Sequence, residues 1–200
     1  QYGELALQDP EVDPGNKLRM YFWISNSYYV TKKDFDKAIQ YSQSLIDLCN
    51  MLIEQAGKSD NQEQAEQSIN NYKKFYISPA YQIQARCLFA KGKDDAAVII
   101  QAADKALEAY KLDKSEGSSK MVYSLAGNLY RKGKKAEAVK YVEAIFDKEK
   151  PDLQKANFLA MTLNRMKQKG RALVYYEIQY RLKPKASLAK KIGVMVHKKD

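Results

Sequence analysis

Two hundred residues, 45% hydrophobic and 29% charged, suffice for one sizeable domain or a continuous repeat array and are too apolar for a disordered chain. The formal charge of +10 is uneven, since residues 101–200 hold 23 Lys+Arg against 11 Asp+Glu and the first half holds 11 against 13. No apolar run approaches the roughly 18 residues of a membrane-spanning helix, and no basic, apolar, small-residue leader pattern opens the chain.

Residues 1–9 read as the last turns of a helix broken at Asp9-Pro10, as if the chain began inside a repeat of a longer array. Residues 18–57 read as a helix pair. Phe22, Ser25, Asn26 and Tyr29 share one helical face, and Asp34 then opens a second helix through Ala38, Leu45, Ile46 and Leu48. Residues 58–77 are polar and rich in Gln, Asn and Glu; they form an inserted helix leading into Pro79, or a linker over 58–70. A divergent pair follows over 78–115, with Ala85 and Leu88 before Gly92. Its long second helix carries Ala96, Ile100, Ala103, Leu107 and Tyr110, and a break is expected at Glu116-Gly-Ser-Ser. A third pair spans 119–150 and a fourth 152–183. Between them the register is constant at 34 residues, with Ala126 mapping to Ala160, Leu129 to Leu163 and Ala138 to Ala172. Residues 185–198 are amphipathic through Leu188, Ile192 and Val196 and serve as a capping helix. Short turns force antiparallel packing, and the alanines allow close approach of the helix axes. The expected fold is all-α, a single domain over 1–200.

These residues resemble the tetratricopeptide repeat, W-x2-L-G-x2-Y, then A-x3-F, then P, over about 34 residues. The third pair offers Val122, Leu125, Ala126, Leu129, Ala138 and Val142, with Pro151 one place late. The fourth offers Ala156, Leu159, Ala160, Leu163, Ala172, Tyr176 and Pro184. The first offers Phe22, Tyr29 and Ala38, with Ser25-Asn26 where the motif has Leu-Gly. The likeness covers about three quarters of the chain and reports packing, not chemistry. It implies a right-handed α-solenoid, a superhelix whose first helices line a concave groove for peptides or partner helices.

The stripe beside the packing stripe of each first helix then faces that groove. It holds Trp23, Ser27 and Val30 in the first pair, and Gln82, Arg86 and Phe89 in the divergent pair. The third pair supplies Tyr123, Gly127, Tyr130 and Arg131, and the fourth supplies Asn157, Met161, Asn164 and Arg165. Aromatic, Arg and Asn side chains are favoured at recognition surfaces. The competing reading has Trp23 and Tyr123 wedged between neighbouring pairs. Some relatives grip a C-terminal carboxylate with a Lys/Asn/Arg clamp; Trp23 and Ser27 stand where its lysine and asparagine would be.

Nothing in the sequence gathers into a catalytic, cofactor or metal motif. The one histidine, His197, lies in a Lys-rich tail. Asp34/Asp36 and Asp94-Asp95 sit at helix starts, where carboxylates cap free N–H groups. Cys49 and Cys87 fall in apolar helical stretches and read as buried thiols; the compartment stays open between cytoplasm and periplasm. The reading favoured is a binding scaffold for an unidentified protein or peptide, not an enzyme. Two alternatives remain: nucleic-acid or acidic-surface binding through the basic half, disfavoured because the tyrosines mostly occupy packing positions, and a helical accessory domain of a larger enzyme or sensor. Weak self-association stays open.

Overall fold

The computed structural model describes residues 2–197, and among them it contains helices and no strand. The chain gathers into two compact units, residues 1–121 and 122–200, where the sequence suggested one continuous domain.

In the first unit α1 (Tyr2–Ala6) precedes α2 (Pro14–Ser27), whose first turn is capped by Asp13 accepting from the Asn16 N–H at 3.1 Å. α2 widens into a π-helical turn over Tyr28–Lys32 and stops at Lys33 in the left-handed region (φ 52°). Asp34 then caps α3 (Phe35–Ala56), accepting from the Lys37 N–H at 3.1 Å. Leu18 of α2 meets Leu45, Ile46 and Cys49 of α3 in one core cluster. Tyr28 and Ala38 join Ile83 and Cys87 in another. Both thiols are buried and unbridged; burial pushes Cys49 up to about 12 and Cys87 up to about 11.

The polar stretch forms α4 (Gln62–Tyr72), capped by Asn61, and not a linker. The helical path does not break before Pro79. A second π turn, Lys73–Ile77, leads directly into α5 (Ser78–Gly92), with the Ser78 N–H bonded to the Lys73 carbonyl. Proline has no N–H to give an α-helical turn, and the wider turn absorbs that loss. α5 packs against α6 (Ala96–Asp113), capped by Asp95. Ala80 and Ala85 on one side and Ala102, Ala103, Ala106 and Ala109 on the other are fully buried, and Gly92 closes against Val98.

The break expected at Glu116–Ser119 falls earlier. Lys114 turns left-handed (φ 51°), and α7 (Glu116–Arg131) already includes those residues. Ser115 is the reason, because its hydroxyl accepts from the Ser118 N–H at 3.1 Å, as a helix cap does. Asp113 ties the turn, accepting from Ser78 (2.8 Å), Ser118 (2.8 Å) and Ser115 (3.0 Å). Desolvation pushes its carboxyl up, but these donors and the Ser115 N–H prevail and hold it below the usual range.

The division between units falls inside α7. The second unit continues with α8 (Lys135–Ala144), α9 (Leu153–Arg165), α10 (Lys169–Leu182) and α11 (Ala186–His197). Here the 34-residue register appears in the hydrogen bonds of the turns. Lys134 N–H reaches the Leu129 carbonyl at 2.9 Å, as Gln168 N–H reaches Leu163 at 2.9 Å. Ala138 N–H reaches Lys134 at 3.0 Å, as Ala172 reaches Gln168 at 3.0 Å. Gly133 (φ 81°) and Lys167 (φ 61°) both turn left-handed to end their helices. Ala126, Leu129, Ala138, Val142, Ala156, Leu159, Ala160, Leu163 and Ala172 are fully buried, so the residues carrying the register form this unit's core.

α11 covers less than its pattern suggests. Leu188 and Ile192 are half-buried against the unit, but Val196 is 46% exposed. One turn beyond Ile192, Met195 takes the half-buried place instead. Residue 198 of the expected cap and the His197 side chain lie outside the described residues.

Candidate functional site

None of the nine proposed groove residues is buried, and the second unit brings five of them together. Tyr123, Tyr130 and Arg131 of α7 face Asn157 and Arg165 of α9 across an open cleft of about 440 Å³, with Gly127 and Met161 between them. Helical geometry explains the gathering. Residues 123, 127, 130 and 131 lie on one face of α7 and 157, 161 and 165 on one face of α9, each beside the buried stripe.

Phe158 builds the floor. Its ring meets Tyr123 edge to face at 5.7 Å and 68°, and Tyr130 at 5.7 Å and 67°. Such pairs each contribute about 0.5–1.5 kcal/mol beyond the area they bury. The Arg165 guanidinium lies 5.9 Å from the Tyr130 ring centroid and hydrogen-bonds the Tyr130 hydroxyl. Arg131 donates to the Asn128 side chain at 2.8 Å. Burial pushes the Tyr123 phenol up, the Asp152 charge adds to that, and a hydrogen bond with Gln154 opposes it. The phenol therefore stays protonated, and the cleft's own charge comes from its arginines.

Phe158, Gln154 and Thr162 also line this cleft, and the sequence reading missed them. Positions 154, 158, 161 and 165 recur at the three-to-four spacing of one helix face, a signal that would have found Gln154 and Phe158. The counterpart of Phe158 34 residues earlier is the exposed Ser124, so the repeat register by itself does not mark the position.

The other candidates lie apart. Asn164 is half-buried at the end of α9 and does not line the cleft. Arg86 is exposed and Phe89 half-buried on α5, whose Gln82 is engaged by Ser118 at 3.0 Å. Trp23 is 66% exposed beside a separate hollow of about 380 Å³ lined by Val12, Met20 and Ile24, with its ring edge-on to Phe22 at 5.8 Å.

A larger cleft of about 570 Å³ lies between α8 and α10. There Arg171 already meets both Glu143 oxygens at 2.7 Å, and the Tyr175 hydroxyl donates to Glu143 at 3.1 Å. Burial and the Glu143 charge push Tyr175 up to about 12. Its central ion pair is closed, whereas the α7–α9 cleft keeps its guanidiniums on neutral partners. Among the described residues no three His, Cys, Asp or Glu side chains gather as a metal ion would need, and no helix is long and apolar enough to cross a membrane. Comparison with known proteins finds no family model that matches the chain and no curated protein similar to it.

Proposed function

We propose that the chain is a protein-interaction scaffold of the tetratricopeptide kind. Its helix pairs stack as a right-handed solenoid, and its first helices present a groove to a peptide or partner helix. The observation that carries this reading is the α7–α9 cleft, where Tyr123, Tyr130, Arg131, Asn157 and Arg165 meet over an aromatic floor on two helices related by the 34-residue register. Exposed aromatic and Arg side chains combine contact area with directed hydrogen bonds, which suits binding. The function is recognition, with no reaction carried on the chain.

A second reading, an acidic surface or nucleic acid as partner, has one observation in its favour. Residues 122–200 hold 19 Lys+Arg against 7 Asp+Glu, so the whole positive excess lies in the second unit. The test replaces Met161 in the cleft, and separately exposed Lys140 on α8, with a photo-crosslinking residue in the full chain. Protein adducts at 161 and few at 140 are expected; equal adducts at both, or none at 161, would reject the cleft.

A further inference from the structure

Arg131 and Arg165 occupy the same position in successive helix pairs, 34 residues apart, and both line the α7–α9 cleft. Arg131 meets the neutral amide of Asn128, and Arg165 meets the hydroxyl and ring of Tyr130. Among the described residues neither guanidinium faces a carboxylate. An arginine stays charged at any pH the fold meets. Asp152, whose charge acts on Tyr123, caps the first turn of α9, at the other end of that helix from Arg165. The cleft is therefore polar along its length, with a half-buried aromatic floor and a doubly cationic end.

We infer that it takes an extended acidic peptide segment, one apolar or aromatic side chain resting on Tyr123, Phe158 and Tyr130 and two carboxylates meeting Arg131 and Arg165. This rests on the cleft being the binding site proposed above. Packed helices lie about 8–10 Å apart, and an extended chain rises about 3.3 Å per residue, so carboxylates two or three residues apart bridge the two arginines. Guanidinium and carboxylate match in shape as well as charge, two parallel N–H donors to two oxygens. A basic or neutral segment would cover both guanidiniums without giving them a counter-charge. Single-stranded nucleic acid fits less well. Successive bases need a row of open ring faces, whereas here Tyr123 and Tyr130 each meet the single Phe158 ring edge to face, a floor for one side chain.

The test presents the full chain with synthetic dodecapeptides in balanced classes (acidic, neutral or basic, each with and without one aromatic residue) and reads affinity by fluorescence anisotropy. Acidic peptides with an aromatic residue should bind best, and more weakly as salt rises. Arg131→Gln with Arg165→Gln should weaken them about twofold to thirtyfold, the range of two exposed ion pairs. Lys140→Gln with Lys190→Gln, removing equal charge elsewhere, should change binding less than about twofold. Phe158→Ala should erase the aromatic preference and keep the acidic one. If neutral peptides bind as well as acidic ones while Phe158→Ala still weakens them, the ligand chemistry is wrong and the cleft stands. If no class binds, or no cleft substitution matters, the inference and the cleft both fall. Binding of a single-stranded RNA oligomer with every peptide class silent overturns the inference in favour of nucleic acid.

Discussion

At Glu4 two phenols converge on one carboxylate. Tyr28 and Tyr41 both donate to it, and their rings stack at 5.6 Å and 6°, with the Lys32 ammonium 4.1 Å from the Tyr28 ring centroid. The Tyr28 and then the Tyr41 hydrogen bond hold Glu4 down from its ordinary 4.5 to about 2, while burial and the Glu4 bond push Tyr41 up to about 12. A carboxyl lowered by folding favours the docked α1 above pH 4.5 and loses that contribution as pH falls through about 2. Tyr28 and Tyr41 ring shifts followed by NMR should therefore move between these two values, and Glu4→Gln should abolish the step. Gly92 gives a second residue-scale expectation. A Cβ there would stand 2.6 Å from Val98 Cγ1 and 2.7 Å from its Cβ, against a branched and stiff side chain. Gly92→Ala should cost about 1–2 kcal/mol in urea unfolding, overpacking outweighing the helix-propensity gain.

Helix ends carry the clearest contrast between the two repeats of the second unit. Gly133 and Lys167 perform the same left-handed turn, but only glycine does so without a Cβ penalty. Lys167→Gly should raise stability by about 0.5–1 kcal/mol, the αL penalty less the entropy glycine adds to the unfolded chain. Thermal unfolding followed by circular dichroism would check it. At this scale the sequence was readable wherever small residues set the spacing. Ala126, Ala138, Ala160 and Ala172 gave the register, and all four are fully buried. It was unreadable where backbone alone decides. The π turns at Tyr28–Lys32 and Lys73–Ile77 leave no side-chain period, and the Glu116-Gly-Ser-Ser composition reads as a break although Ser115 caps a helix through it. The cleft was half legible: stripes adjacent to the core named Tyr123, Tyr130, Arg131, Asn157 and Arg165, but only the family resemblance set α7 beside α9, and nothing one-dimensional could exclude Asn164.

Over the whole molecule, charge is partitioned as contacts are. Residues 1–121 hold 15 Lys+Arg against 17 Asp+Glu, so the positive field belongs to residues 122–200. Neutralising Lys148, Lys169, Lys183 and Lys190, all exposed, should lower the salt needed to elute the chain from a cation exchanger. Neutralising the equally exposed Lys33, Lys73, Lys74 and Lys93 should lower it less, because those charges are offset by nearby acids on average.

The matching hydrogen bonds at 134→129 and 168→163 have a constructive meaning. Residues 134–167 begin and end at equivalent points, so that stretch is a cassette. A tandem copy spliced in after Lys167 would meet the same carbonyls, the same buried alanines and the same turn at each seam. It would also bring a third arginine into line, making the number of acidic contacts a matter of how many times the cassette is written.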